Sequence, residues 1–267
     1  MGILVGFVGQ FRTWDKTSKM AFGFALLLLL MALVILLVAP PGFTDFAVMS
    51  IGGLLVALQV IVLWGNRSMV TAQTEARRNY IDGDYASARD VLESELDRLN
   101  LLGQKPNGDM LAFLGNTYRQ LGELDKSLDI LTQAIESRPK SHFSHYGFGR
   151  TLLAKGEFAA AAEELQLALK LGAPQATTFD LGHALVRAGD KDAASKALQS
   201  AIAVTDEPQQ VLMTQFWLHQ LDGQPLPSDD RISQGLSYWQ EEAARFADTP
   251  YGKALYEDLR VLSSGQS

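Results

Sequence analysis

Few side chains in this sequence have the type and spacing that catalysis or metal binding requires. His142 and His145 lie three residues apart and could share one helix face, but the chain has no Cys, and no obvious third ligand completes a metal site. Glu163 and Glu164 are adjacent, so on a helix their side chains diverge and indicate a solvated face. Glycine-rich phosphate loops and a serine nucleophile elbow are not found. We therefore expect no enzymatic activity, no cofactor and no metal, with His145 in an aromatic core position.

The net charge of the chain indicates which classes of partner it can bind. The 267 residues include 30 acidic and 23 basic side chains, so the formal net charge is −7. Because nucleic-acid binding needs a basic surface, we expect no nucleic-acid partner. Mean hydropathy is +0.03, but this neutral average hides an uneven distribution, since the apolar residues concentrate in positions 1–65. The chain is therefore interpreted as two parts of different character.

The N-terminal part contains two uncharged apolar stretches, at about residues 20–38 and 46–65. Each is close to the length of about 20 residues that a helix needs to cross a bilayer. Pro40 and Pro41 end the first helix, because proline supplies no backbone N–H. Residues 1–68 are therefore expected to form a transmembrane helical hairpin. A cleaved signal peptide and a buried soluble hairpin are the alternatives.

Basic residues flank the two apolar stretches, whereas the connecting loop 39–45 has neither Lys nor Arg. The positive-inside rule then places the loop outside and both termini in the cytoplasm. We therefore expect a protein integral to a plasma or inner membrane, with everything after Arg67 on the cytoplasmic side.

The second apolar stretch also carries residues suited to close helix packing. Small residues let helix backbones approach each other, and a lone amide can hydrogen bond across the contact. These residues are Gly52, Gly53, Ala57 and Gln59. We expect them to pack against the first span or, alternatively, against a second copy in a homo-oligomer.

Glycines recur at nearly constant spacing in the C-terminal part. Those that precede the second helix of each unit are separated by 39, 34, 33 and 34 residues, and they are Gly83, Gly122, Gly156, Gly189 and Gly223. A fixed period in this range indicates stacked helical hairpins. The longer first interval is explained by an insertion around residues 101–105.

Within this frame the sequence resembles the tetratricopeptide repeat (TPR) family. The second unit carries the family pattern best, at Leu111, Leu114, Gly115, Tyr118, Gly122, Leu131, Ala134 and Pro139. Ser127 replaces the usual small Ala of its second helix. The resemblance implies an all-α fold in which the transmembrane hairpin is followed by a TPR-like α-solenoid of antiparallel helix pairs over residues 69–206.

The last part of the chain departs from the repeat. Pro225 and Pro227 prevent the second helix of a fifth unit from starting where the period requires it. Two further helices are expected at about 229–246 and 250–262. Residues 207–267 are therefore interpreted as an atypical last repeat with capping helices that seal the solenoid.

TPR stacks are curved, and their first helices line the concave side. On each first helix, the exposed stripe consists of the residues three positions before, one position after and four positions after the mid-helix glycine. The expected groove residues are Arg77, Tyr80, Asn116, Arg119, Tyr146, Arg150, Phe179, His183, Met213 and Trp217. Arginines and aromatic groups suit an extended peptide or partner helix with an acidic group near Arg150. Alternatively, the C-terminal helices fold over Trp217 and Phe179 and fill the groove.

One detail of the groove is similar to the carboxylate clamp of chaperone-binding TPR proteins. Asn116 and Arg150 occupy equivalent positions in successive units, although Ala112 stands where that clamp has Lys. The whole pattern predicts a membrane-tethered protein–protein interaction scaffold that assists assembly or localisation of a membrane complex. The alternative is a noncatalytic structural subunit of a membrane transport or enzyme complex, in which the hairpin makes the main contacts.

Overall fold

The computed structural model describes residues 16–38, 44–65 and 72–264, and every regular element within them is an α-helix. Backbone contacts divide the chain into two compact units, Met1–Glu75 and Ala76–Ser267. The first unit holds α1 (Lys16–Val38) and α2 (Thr44–Gly65), which pack against each other. The predicted apolar stretches are therefore two paired helices.

The charged residues of the two helices lie near the helix starts, Ser50 and Gln59 are the polar residues inside α2, and most of the large apolar side chains that the structure describes are exposed within the chain. Within the described residues, none of the helices combines the length and the apolar character that crossing a membrane requires. The structure thus supports a pair of helices at the predicted positions and gives no support for a transmembrane hairpin.

The small residues of α2 do not face α1. Gly52, Gly53, Ala57 and Gln59 are exposed within the chain, and a Cβ added at either glycine would meet no atom within 4 Å. Ala25 of α1 is buried instead. The expectation that these α2 residues pack against the first helix is therefore wrong, while their contact with a second copy stays a prediction.

The second unit consists of antiparallel helix pairs. Its helices are α3 (Ala72–Ile81), α4 (Tyr85–Leu101), α5 (Gly108–Gln120), α6 (Leu124–Ser137), α7 (His142–Lys155), α8 (Phe158–Lys170), α9 (Thr177–Ala188), α10 (Lys191–Ile202), α11 (Pro208–Asp222), α12 (Asp229–Arg245) and α13 (Pro250–Ser264). From α5 to α10, the first helix of each pair packs against the second and against the first helix of the next pair. Helix α3 joins the stack through a core that Ala76 shares with Ala88, Leu92 and Leu114. This is the α-solenoid that the glycine spacing predicts. The long first interval arises because α4 is 17 residues long.

The core of the solenoid repeats with the sequence. Four leucines on successive second helices, Leu92, Leu131, Leu165 and Leu198, are fully buried. A Cβ added at Gly115, Gly149 or Gly182 would come within 2.5–2.8 Å of the facing leucine. These glycines are therefore required for the close approach of the two helices in a pair.

Ser127 occupies a position in which the other units have Ala. Its hydroxyl is fully buried and donates to the Gly115 carbonyl at 2.7 Å, and it lies 2.9 Å from Thr151 Oγ1. A small side chain is needed at this position, and the Gly115 carbonyl accepts the hydrogen bond that the serine hydroxyl must donate when it is buried. The departure from the repeat pattern therefore leaves the helix packing intact.

The C-terminal helices α12 and α13, together called the C-terminal hairpin, turn back along the solenoid. Gly223 ends α11 in the left-handed region (φ +67°), and no helix forms until Asp229, after the proline pair. Helix α13 then packs against α7, two repeats earlier. The hairpin therefore lies against the first helices of the stack, which carry the predicted groove residues.

Candidate functional site

The C-terminal hairpin occupies the part of the concave surface formed by α9 and α11. The Trp239 ring lies 5.9 Å from the rings of both Phe179 and His183, and the Tyr251 ring lies 5.2 Å from His183. Trp217 stacks on Phe179 at 5.9 Å. An aromatic cluster of this kind stabilises the packing both through the apolar area that it buries and through the geometry of its ring pairs.

Four of the predicted groove residues are therefore core residues. Phe179, His183, Met213 and Trp217 are all at most 3% exposed. The prediction that they line an open groove is corrected, because the chain's own C-terminal hairpin covers them. The sequence left the open and the filled groove as equal alternatives, and the structure has the filled one at these four residues.

Asp258 of α13 fixes the hairpin at this end. Its Oδ2 accepts a 2.8 Å hydrogen bond from Trp217 Nε1 and pairs with the Arg187 guanidinium. Arg187 Nε also donates to His183 Nε2 at 3.3 Å. Burial, together with the charges of Arg187 and Arg150, lowers the pKa of His183 well below its usual range. His183 is thus held as a neutral acceptor.

A second buried network joins α7, α9 and α12. Tyr146 donates to Asp180 Oδ2 at 2.9 Å, and Arg150 Nε lies 3.3 Å from Asp180 Oδ1. On the other side, Glu242 lies 3.9 Å from Arg150 and 3.2 Å from Arg245. Burial, reinforced by Asp180, raises the pKa of Tyr146 to about 12. The Arg150 guanidinium is therefore paired with carboxylates of the protein itself. It is not available as the clamp-like residue that the sequence suggested.

The other end of the concave surface is formed by α3 and α5. Arg77 is exposed and Tyr80 is partly buried. Gln120 Nε2 donates to the Tyr80 hydroxyl at 3.1 Å, and the Phe113 ring lies 5.3 Å from that of Tyr80. Arg245 reaches this end, where its Nη1 donates to Gln120 Oε1 at 2.5 Å. The C-terminal hairpin thus borders the α3–α5 end.

Asn116 and Arg119 lie between the two regions and have unmatched polar atoms. Asn116 is 6% exposed and Arg119 is 4% exposed. Asn116 Oδ1 and Arg119 Nε have no hydrogen-bond partner among the residues that the structure describes. Asn116 rests on the next first helix, since a Cβ at Gly147 would lie 2.8 Å from its Oδ1. Buried polar atoms without partners are uncommon in native proteins.

The histidine pair offers no metal site. His145 is buried, with Nδ1 2.7 Å from Glu164 Oε2 and Nε2 3.0 Å from the Pro139 carbonyl, whereas His142 is exposed. Both ring nitrogens of His145 are thus used within the repeat. Nor do three His, Asp or Glu side chains come together as a metal site anywhere in the described ranges.

Sequence reasoning missed the partners that close the concave surface. Trp239, Glu242, Tyr251 and Asp258 all come from the C-terminal hairpin. Each faces inward on an amphipathic helix, and that periodicity was available in the sequence. The sequence does not show where these helices dock on the solenoid, because their positions have no counterpart in the 34-residue period.

Comparison with known proteins agrees with this architecture. Residues 113–176 match the family model of the tetratricopeptide repeat. They span most of α5, all of α6 to α8 and the approach to α9, so this part of the chain is similar to TPR units. A search of curated protein sequences finds no match.

Solved structures show the same fold class. A thermophilic TPR protein from Thermus thermophilus is 16% identical, with a TM-score of 0.50, over 72% of this chain and 96% of that one. MamA from Desulfovibrio magneticus RS-1 is also 16% identical, with a TM-score of 0.47, over 67% of this chain and 95% of that one. The Thermus protein supports an all-α TPR-like solenoid.

Proposed function

We propose that this protein is a noncatalytic protein–protein interaction scaffold, and that its partner-binding surface is the α3–α5 end of the concave face. The observation that carries the proposal is the pair of buried side chains Asn116 and Arg119 on α5, each of which has a polar atom without a hydrogen-bond partner among the described residues. The remaining concave surface is closed by the protein's own C-terminal hairpin. A scaffold that binds other proteins and has no active site of its own accounts for these features.

The test of this surface uses two adjacent arginines. Arg77 lies on the concave stripe, and Arg78 is the next residue of α3; both are exposed. Arg77→Glu is expected to reduce partner recovery at least tenfold in a crosslinked native pull-down from membranes. Arg78→Glu makes the same change of charge one position off the stripe and is expected to leave recovery unchanged. Equal recovery by both variants contradicts the proposal.

We further propose that residues 1–68 tether the solenoid to a plasma or inner membrane, with both termini and the repeats cytoplasmic. Support comes from the uncharged stretches and their flanking basic residues. It also comes from apolar side chains that the first unit leaves exposed, at Met20, Phe24, Leu27, Leu30, Met31, Val34, Leu55, Val56 and Val60. Such a surface needs an apolar covering, and lipid supplies one.

Membrane attachment is measured by flotation and alkaline extraction. The full chain is expected to float with liposomes and to resist carbonate extraction, whereas a chain starting at residue 69 is expected to stay in the soluble fraction. The shortened chain retains the unit Ala76–Ser267, which has its own core. Release of the full chain by carbonate contradicts the tether.

A second function remains a candidate because α2 exposes Gly52, Gly53, Ala57 and Gln59. In that case the protein is a noncatalytic subunit of a membrane transport or enzyme complex, and the first unit makes the main contacts, including those of a homo-oligomer. Separate pull-downs with residues 1–68 and 69–267 distinguish the two functions. Partner recovery by 69–267 alone supports the scaffold, and recovery by 1–68 alone supports the subunit.

A further inference from the structure

Two opposite edges of the solenoid are formed by two kinds of connection, because successive helices are antiparallel. The connections between the first four helix pairs, with the helix residues that flank them, are here called the loop edge; they are residues 102–107, 138–141 and 171–176. The turns within those pairs are called the turn edge; they are residues 82–84, 121–123, 156–157 and 189–190. The two edges face different surroundings and can be compared directly.

The two edges carry opposite charge. The three connections of the loop edge contain Lys105, Arg138 and Lys140 and no acidic residue. The four turns contain no Lys or Arg, and their acidic residues are Asp82, Asp84, Glu123, Glu157 and Asp190. Helix capping accounts for part of the acidic set, since Asp84 and Asp190 each accept the N–H of the residue three positions later. Lys105 and Lys140 are exposed and have no such role in the described parts of the chain.

The loop edge also exposes large apolar side chains. Leu101 is 88% exposed and Leu102 is 57% exposed, at the point where α4 ends. Phe143, which follows the next connection, is 38% exposed. A cluster of exposed apolar side chains on a folded domain indicates a contact surface.

The first two connections lie side by side. Arg138 of the second connection forms an ion pair with Asp109 at the start of α5, and a Cβ at Gly108 would lie 3.0 Å from Arg138 Cγ. The exposed apolar side chains and the two lysines therefore belong to one surface. Lys170, the last residue of α8, adds a further exposed charge, and Glu136 in the last turn of α6 offsets one. The surface remains net positive in a chain whose net charge is −7.

The chain enters the solenoid at this same edge. The Tyr80 ring lies 5.0 Å from the Tyr85 ring, so the end of α3 meets the start of α4 at the turn edge. The start of α3 is therefore at the loop edge. Since α3 follows the apolar residues 1–68, the membrane tether proposed above is attached to the edge that carries the exposed leucines and lysines.

We propose that the loop edge lies on an anionic lipid surface. Leu101, Leu102 and Phe143 enter the headgroup layer. Lys105 and Lys140 contact the lipid phosphates, and this combination of apolar and basic side chains is typical of interfacial membrane binding. Lipid fits better than a protein, because these groups protrude from connections and the apolar part of the chain joins the solenoid beside them.

The contact depends on attachment of the solenoid to the membrane. Two lysines and three apolar side chains hold a free solenoid on lipid only weakly, so residues 69–267 alone stay in solution. A tether raises the local concentration of the loop edge at the bilayer and makes the weak contact effective. This inference therefore rests on the proposed tether, and it specifies which side of the solenoid faces the lipid.

The chain has no Cys, so one introduced Cys carries one fluorophore. Leu101→Cys places the fluorophore on the loop edge. Ile81→Cys, at a side chain that is 73% exposed beside the turn edge, is the matched control. Each labelled full chain is reconstituted into liposomes of phosphatidylcholine and phosphatidylglycerol, with and without a nitroxide quencher on the lipid. In a second form, residues 69–267 carry the same label and are held on nickel-chelating lipid by an N-terminal hexahistidine tag.

The fluorophore of Leu101→Cys is expected to be quenched and blue-shifted in both forms, whereas that of Ile81→Cys is expected to show neither change. Adding Lys105→Gln and Lys140→Gln should weaken the contact by about fivefold per lysine. Liposomes of phosphatidylcholine alone should weaken it similarly. Lys191→Gln with Lys196→Gln, at two exposed lysines of α10, changes the net charge equally and should leave the quenching unchanged.

Three results overturn this inference. The first is equal quenching at the two labelled positions. The second is quenching on the loop edge that neither the lysine substitutions nor the lipid charge alters, since closeness to the tether alone then explains it. The third is a loop-edge fluorophore that stays in water in both forms. In that case, capture of a protein by a photocrosslinker at position 101 in native membranes assigns the loop edge to a protein partner.

Failure of the tether is distinguishable from failure of the loop edge. If carbonate releases the full chain while the tagged fragment shows the charge-dependent quenching, the tether is wrong and the loop edge stands. If the full chain resists carbonate and neither form is quenched, the tether stands and the lipid contact is wrong.

Discussion

At the scale of single residues, Asp258 connects the C-terminal hairpin to the solenoid. It is buried, and it satisfies both the Trp217 indole N–H and the Arg187 guanidinium. Asp258→Leu leaves two buried donors without an acceptor, and we expect the free energy of unfolding to fall by about 3–5 kcal/mol. Urea denaturation measures this loss. Adding Arg187→Met should restore part of it, because the unpaired guanidinium is removed while the Trp217 N–H stays without an acceptor. Glu257→Gln, at the exposed neighbour, should change little.

His183 predicts a dependence of stability on pH. Its pKa is lowered well below 6.5 by burial and by two nearby arginines, so the folded protein keeps it neutral while the unfolded chain takes up a proton. This stabilising contribution is therefore complete above pH 6.5 and is lost as the pH falls below it, by up to about 1.4 kcal/mol per pH unit. Denaturation curves between pH 7.5 and 5 measure the slope. His183→Gln should flatten it, and His142→Gln should not.

Residue-level prediction from sequence succeeded where the repeat determines the environment. The glycines at mid-helix positions lie where the two helices of a pair approach closely, and each faces a leucine of the second helix. It failed at Phe179, His183 and Trp217. The helix face that these residues occupy was predicted correctly, but the C-terminal hairpin that covers this face was not. Periodicity identifies which face of a helix points inward from the stack, and it carries no information on what later covers that face.

At the scale of elements, docking of α13 depends on one glycine turn. Gly156 ends α7 with φ +93°, and a Cβ there would lie 2.7 Å from Pro250. Gly189 ends α9 with φ +84° and has nothing within 4 Å. Alanine costs about 1–2 kcal/mol at either site, because both are left-handed. Gly156→Ala should cost a further 1–3 kcal/mol, approximately, from overpacking against Pro250.

Thermal and urea unfolding of the two glycine variants compare these costs directly. The difference between Gly156→Ala and Gly189→Ala isolates the contact with α13, because the backbone penalty is shared. Trp fluorescence adds a local measurement, since Trp239 belongs to the hairpin and its ring lies 6.3 Å from that of Trp217 beneath it. Equal losses for the two variants would show that Pro250 moves away freely and that α13 is loosely held.

The helices themselves were predictable to within a few residues, and their arrangement only in part. The C-terminal helices were expected at about 229–246 and 250–262, and they lie at Asp229–Arg245 and Pro250–Ser264. Pro225 and Pro227 correctly indicated the break before them. That break is also the reason why docking could not be inferred, since a segment released from the repeat geometry can cap the end or turn back along the groove.

At the scale of the whole molecule, we expect the stability of the solenoid to differ along its length. An uninterrupted repeat stack has stability that depends on neighbouring units alone. Here one continuous core joins α6 to α13, because the C-terminal hairpin contacts α7 and α9 as well as α11. The core around Ala76, Ala88 and Leu92 is separate and smaller. The two ends of the solenoid should therefore open at different free energies.

Native-state hydrogen exchange tests this difference. Amides of α3 and α4 are expected to exchange through an opening of lower free energy than amides of α7, α9 and α11, which should exchange only on global unfolding. Asp258→Leu should lower protection in the α7–α13 region and leave α3 and α4 unchanged, since it acts only on the core closed by the hairpin. Uniform protection along the chain, or an equal drop in both regions, would mean that a single cooperative unit unfolds and that the hairpin does not divide the stack. The proposed binding surface at α3–α5 would then lack the locally mobile edge that this division gives it.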